Sequence, residues 1–286
     1  EIFVISTDPI TGTVKDVGML AIQITANDLA SSGAEPVGVM LTVLLPEEIE
    51  EEDIREMMRQ VEEACAHFHI QVMGGHTEVT RAVTQPVISV TGVGKVREDR
   101  LVSTAGAKPG QDILVTKWIG IEGTSIIAKE KEKELLERFS QAFVDTAKGF
   151  DQYLSVLPDS RIAVEHGVSA MHDVTEGGIY GALWEVAEAS GIGLEIDLKA
   201  IPIRQETIEI CEYFELNPYY LISSGCMLMA ADQGHDLVRK LEAAGIPAAV
   251  IGKATDGKAR RIWNGGEESY LERPKTDELY KIYHKN

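Results

Sequence analysis

Apolar segments of strand length alternate with longer amphipathic segments from the first residue onward. That alternation restricts the chain to a mixed α/β fold. EIFVIST at the start reads as a strand, and VKDVGMLAIQITANDLASSGA reads as a helix closed by Gly33, a good C-terminal glycine. PVGVMLTVLL is a second strand, ended by Pro46. A helix is expected from about Glu50 to His67, with Ile54, Met57, Met58, Val61 and Cys65 on one face. QPVISVTGVGKV is a further strand. The polar stretch REDRLVSTAGAKPGQD, with Gly106, Pro109 and Gly110, then reads as a junction between domains 1–106 and 107–286. The second half begins again with the strand DILVTKWIG, and a helical region runs from Gly123 into the 160s with a break at LPDS. VSAMHDVTEGG is a strand turning into the helix IYGALWEVAEAS, and IGLEIDL is a strand. YYLISSGCMLMAA, HDLVRKLEAAGI and AAVIGKA read as strand, helix and strand.

The 286 residues suffice for a sizeable core without crosslinks. A net charge of -19 argues against general affinity for nucleic acid or an anionic membrane. Part of it sits in EEIEEED, where acidic side chains oppose the positive end of a helix dipole. Cys65, Cys211 and Cys226 form no CxxC pair, so neither a disulfide framework nor a zinc knuckle is expected, and a reduced cytoplasm is the natural setting. No stretch has the length and apolarity of a transmembrane helix. The opening EIFVISTDPI has no basic n-region, so it is not a signal peptide, and it leaves room for a preceding segment.

Four places carry groups suited to ions or phosphates. Asp8 in STDPITG follows an apolar strand; it suits a metal ligand at a strand end, although taken alone it reads as a turn aspartate. Asp28 falls near the centre of the stripe made by Val17, Leu20, Ala21 and Ile24. A carboxylate there is paired, hydrogen-bonded or on a metal, or else the helix end is open to water. Asn27 beside it offers a carbonyl ligand. In GGHT, Gly74 and Gly75 give the backbone room to approach a ligand, and His76 and Thr77 add polar groups, but a tight turn with a surface histidine has the same sequence. In HDVTEGG a strand ends at Asp173, Thr175 is placed to cap a helix, and Gly177 and Gly178 lie in its first turn, where free N–H groups attract anions. GIEGTS is a third glycine-bearing helix start and lacks Walker A spacing.

STDPITG, AIQITANDLASSGAEPVGVMLTVLLP, GGHTEVT, HDVTEGGIYGALWEVAEASG and LISSGCMLMA followed by IGKA stand together in this order. With them the chain resembles the aminoimidazole ribonucleotide synthetase (PurM)-like superfamily, and above all its HypE-like and AIR synthase-related members. The resemblance runs from Ile5 to Ala254. It implies an N-terminal domain that dimerises through its strands, a C-terminal α/β domain, and ATP with Mg²⁺ in the cleft between them. By the same resemblance Asp8 and Asp28 match metal positions. His76 stands where several members have Asp, and Asp173 matches the aspartate before the helix start of the second domain. The implied catalytic positions are Asp173 and His76. Gly74, Gly75, Thr77, Thr175, Gly177, Gly178 and Asn27 would line the cofactor site.

The chemistry implied is phosphoryl transfer from ATP to an oxygen of a small molecule or partner protein. The hydrogenase-maturation members carry their reacting group on a terminal cysteine, and no cysteine follows Cys226 here, so that reaction by that residue is not expected. Together with His76 this leaves open a relative that keeps the dimeric scaffold and turns nothing over.

Overall fold

The computed structural model describes residues 1–11 and 16–284, and the chain divides into two compact units, Glu1–Leu101 and Val102–Asn286. Residues just past this division already belong to the second unit. Thr104 Oγ1 donates to Met171 O (3.4 Å), and Ala107 N–H to Ser190 Oγ (3.1 Å). The division falls inside the polar stretch 97–112 read as the junction, ahead of its glycines.

The N-terminal unit holds four strands and two helices: β1 (Ile2–Thr11), α1 (Val17–Ser31), β2 (Glu35–Leu45), α2 (Glu51–Phe68), β3 (Gln71–Val79) and β4 (Val87–Val96). The sheet order is β1-β4-β2-β3, antiparallel except for β2 and β3, which are parallel and joined through α2. The expected helix onset at Val14 lies outside the described residues. β1 continues through Asp8 and Pro9 to Thr11, so Asp8 is inside a strand and not at its end. An edge strand tolerates the proline because one side of it needs no ladder bond.

Both helices cover one face of the sheet. α1 packs so closely on α2 that a Cβ on Gly18 would lie 2.4 Å from Met57 O, and Gly18 N–H donates to Gln60 Oε1 (3.1 Å). That contact rotates α2 slightly from the expected stripe: Gln60 is buried and Met58 is exposed. The acidic run supplies Glu51, Glu52 and Asp53 in the first turn of α2, where they oppose its dipole. The other sheet face is open. Phe3 (73% exposed), Ile5 (66%) and Met40 lie on it, in register with Lys95, Val93 and Thr91 of β4 respectively.

The C-terminal unit contains β5 (Asp112–Thr116), α3 (Ile121–Glu130), α4 (Glu132–Leu135), α5 (Gln141–Lys148), α6 (Leu157–His166), β6 (Ala170–Asp173) and α7 (Gly178–Ser190). It continues with β7 (Gly193–Asp197), α8 (Gln205–Phe214), β8 (Met227–Ala231), α9 (Gly234–Ala243), β9 (Ala248–Thr255), β10 (Arg260–Asn264), β11 (Glu267–Tyr270) and α10 (Tyr280–His284). Its seven-stranded sheet has the order β11-β10-β7-β9-β5-β8-β6. β5 and β8 are buried at every residue, as central strands covered on both faces are. LPDS is the start of α6, with proline in the first turn, where no N–H is needed. β8 begins only at Met227, because residues 221–226 form a loop packed over the start of α3. A Cβ on Gly123 would meet the Leu221 side chain at 2.5 Å.

Two apolar clusters organise this unit. One joins the sheet to α7 through Ile113, Val115, Ile179, Leu183 and Leu228. The other joins α3, α5 and α8 with Leu221 and Ile282. Lys117, left-handed at φ 54, ends β5 and turns its ammonium inward onto Asp159 (2.6 Å) and Ser155 O (3.0 Å). The pair is almost fully buried, so removing either partner would strand a charge.

Candidate functional site

The N-terminal unit brings two of the expected acidic residues to one side of the sheet. Ser6 Oγ donates to Asp28 Oδ2 at 2.7 Å, which ties α1 to β1. Asp8 is two residues beyond Ser6 on the same strand and hence on the same, helix-covered face. Both carboxylates are half-buried. Asn27 is only 1% exposed, and its Oδ1 accepts from Gln23 Nε2 (3.0 Å) one helical turn away.

GGHT is not a turn. It lies inside β3, paired in parallel with β2, and every residue of β3 is exposed. Side chains alternate along a strand, so the residues fall on different faces. His76 is in register with exposed Thr42, whereas Thr77 is in register with buried Val43. His76 therefore sits on the open face, opposite Asp8 and Asp28, with Glu78 Oε2 3.6 Å from its Nε2. The two glycines differ. A Cβ on Gly75 would lie 2.1 Å from Leu41 O, while one on Gly74 would meet nothing within 4 Å. Gly75 is thus required by strand pairing, and only Gly74 leaves open space.

In the C-terminal unit, Asp173 ends β6, buried, in register with Met227. Thr175 does not cap α7. The cap position is Gly177 (φ 81), followed by Gly178 (φ 60), and a Cβ on Gly178 would meet Tyr219 O at 2.6 Å. Only glycine fits two successive left-handed residues against a backbone carbonyl. The N–H of Gly177 has an acceptor: Asp277 Oδ2, at 2.8 Å.

Two groups here were not singled out in the sequence. Glu122, in the first turn of α3, is buried and accepts from Ser224 N–H at 3.2 Å. Burial pushes its carboxyl up to about 7, and the nearby charges of Asp277 and Glu176 act in the same direction, against the Ser224 hydrogen bond. Asp277 is also raised, by burial first, against backbone N–H bonds from Leu279, Gly177 and Ile222. The glycines of GIEGTS signalled the helix start but not the chemistry of Glu122, and Asp277 has no motif around it. Among the described residues no three His, Cys, Asp or Glu side chains gather as a metal cluster.

A four-stranded and a seven-stranded α/β unit in succession make up a PurM-like two-domain fold. The N-terminal domain of AIR synthase related proteins matches residues 1–96 and the C-terminal domain matches residues 108–264. The chain belongs to the AIR synthase related protein family. It is 31% identical, over 84% of its length and 70% of the relative's, to a Methanocaldococcus jannaschii protein named for hydrogenase expression and formation. It is 30% identical to the carbamoyl dehydratase HypE of Cupriavidus necator, over 80% of this chain and 67% of that one. A crystal structure of the hydrogenase maturation protein HypE in complex with ATP superposes with a TM-score of 0.85, at 23% identity, over 99% of this chain and 87% of that one.

Proposed function

We propose that this protein binds ATP with Mg²⁺ and transfers the γ-phosphoryl group to an oxygen, such as that of an amide or carbonyl, on a small molecule or partner protein. What supports the reading is the placement of Asp8 and Asp28 on one covered sheet face, in a family whose relatives include the carbamoyl dehydratase HypE. Two carboxylates suit Mg²⁺, which takes one or two from a protein and fills its remaining positions with phosphate oxygens and water. Asp8 and Asp28 would hold it, and it would offset charge on the phosphates. In the transfer, the bond from the γ-phosphorus to the bridging oxygen breaks, a bond to the acceptor oxygen forms, and ADP leaves. Such catalysis rests on positioning and electrostatics. The roles proposed within the N-terminal unit are metal binding by Asp8 and Asp28 and phosphate contact by Gly74 and Thr77; within the C-terminal unit, Asp173 and the start of α7 are proposed to contact substrate or phosphate. His76, on the opposite face, is left out of the metal site.

We further propose a homodimer through the open face of the four-stranded sheet. Phe3, Ile5, Met40 and Val93 give it an apolar centre. Among the described residues no helix is long and apolar enough to cross a membrane, and the charge of -19 disfavours nucleic acid as a partner.

Calorimetric titration of ATP, with and without Mg²⁺, into the protein and into Asp28→Asn tests the nucleotide reading. Binding is expected to require Mg²⁺ and to weaken about tenfold in the variant, or ~1.4 kcal/mol. A folded protein that takes up no ATP would favour a non-catalytic scaffold. One observation already points that way: Gly177 N–H is occupied by Asp277.

A further inference from the structure

β7 and β10 of the seven-stranded sheet are buried on one face only. Leu194, Ile196 and Ile262 turn inward and join the cluster under α7. Side chains alternate along a strand, so Glu195, Asp197, Arg261 and Trp263 point the other way. A cavity of about 390 Å³ opens on that second face, bordered by Glu195, Asp197, Lys199, Lys253, Trp263 and Gly265. Its size is that of a site for a small molecule.

Two rows of side chains cross the strands there. In the first, Glu195 is in register with Lys253 of β9 and with Arg261 of β10. Its charges are matched within the fold: Arg261 Nη1 lies 3.0 Å from Glu195 Oε1, and Lys253 Nζ lies 3.3 Å from Asp112 Oδ1. In the second row Asp197 is in register with Trp263. Asp197 Oδ1 accepts from Lys199 N–H (3.0 Å), which leaves its Oδ2. Lys199 Nζ lies over the turn between β10 and β11, where a Cβ on Gly265 would be 2.8 Å from it. Among the described residues, neither Asp197 Oδ2 nor Lys199 Nζ has a hydrogen-bond or ion-pair partner, and the two do not pair with each other.

Trp263 is left bare in the same way. The other two tryptophans each carry a guanidinium over the ring: Arg204 lies 4.9 Å from the ring centre of Trp118, and Arg260 lies 3.9 Å from that of Trp184. Trp263 is 38% exposed, and among the described residues no ring or cation stacks on it. The cavity therefore offers an ammonium, a carboxylate oxygen and an aromatic face that the fold does not itself engage. An anion alone would be repelled by Glu195 and Asp197, and a cation alone by Lys199 and Lys253. A zwitterion matches both signs, and a flat apolar group on it would stack on the indole.

We propose that this cavity binds a free α-amino acid with an aromatic side chain, its carboxylate on Lys199, its ammonium on Asp197 and its ring against Trp263. The site goes beyond the nucleotide reading and shares no residue with it. Asp173 stands on β6, and β9, β5 and β8 lie between that strand and β7.

The probe is L-phenylalanine, titrated into the full chain and followed through the indole N–H resonance of Trp263, which is identified by its loss in Trp263→Phe. A saturable shift of that resonance is expected. Lys199→Ala should weaken the binding about fivefold, which is what an exposed ion pair supplies at most. Hydrocinnamate lacks the ammonium and phenethylamine lacks the carboxylate, and each should bind about fivefold more weakly than phenylalanine for the same reason. Lys199 and Trp263 are both exposed, so neither substitution removes core packing. No saturable shift at up to about 10 mM, ten times a millimolar Kd, overturns the proposal. So does binding that Lys199→Ala leaves unchanged. Hydrocinnamate binding as tightly as phenylalanine would make the cavity a site for aromatic anions and would sink the zwitterion.

Discussion

Glu122 keeps its proton to about pH 7 because burial penalises its charged form, whereas the same side chain in the unfolded chain titrates near 4.5. Between those values the native state binds more protons than the unfolded one, so stability falls as pH rises through that window. The loss is on the order of 3 kcal/mol at neutral pH. Urea unfolding between pH 5 and pH 8 should show this slope, and Glu122→Gln should flatten it; an unchanged slope would mean that Glu122 is not the group responsible. None of this was legible in GIEGTS, because burial of Glu122 depends on a loop about a hundred residues away. Asp28 was legible, since helical spacing alone places it on the covered stripe. Asp277 was not, because its partner Gly177 is remote in sequence and no local pattern marks either as the other's acceptor or donor.

The strand β3 shows where local reading fails at the level of an element. Two glycines followed by polar residues look like a turn, and nothing within the segment says otherwise. Parallel pairing with β2 makes it a strand, and alternation then separates His76 from Thr77. The same pairing predicts opposite outcomes for neighbouring substitutions. Gly75→Ala drives a methyl into Leu41 O and is expected to destabilise the unit by roughly 1–3 kcal/mol, whereas Gly74→Ala, facing open space, should stay within about 0.5 kcal/mol. Thermal unfolding of the two variants checks this, and equal effects would mean that Gly75 is not held as described. Elements with long, uninterrupted periodicity, such as α1, α2 and α7, were legible; α8, β10, β11 and α10 were not, being short and dependent on tertiary contacts.

At the scale of the whole molecule, the strand and helix alternation foretold two α/β units. It could not show which face of the first sheet stays open, because Phe3 and Ile5 alternate with Ile2 and Val4 as apolar residues on both sides. An exposed apolar sheet face needs a partner, and a second copy is the proposed one. Ile5→Lys should place a charge in the middle of that contact and shift the protein towards monomers in analytical ultracentrifugation, with little change in far-UV circular dichroism. A dimer untouched by Ile5→Lys would locate the contact elsewhere.

The segment leading into α10 also bears on how the protein is made. Ile282 belongs to the apolar cluster of the second unit, and Asp277 satisfies the start of α7, so that unit lacks part of its core until these residues have been synthesised. The first unit ends at Leu101, and at ordinary translation rates its completion precedes that of the second by about 10–40 s. For that interval a nascent chain presents a finished sheet with an uncovered apolar face while its second half is still being threaded. Two ribosomes on one message would bring such faces together, so pairing could begin before either polypeptide is released.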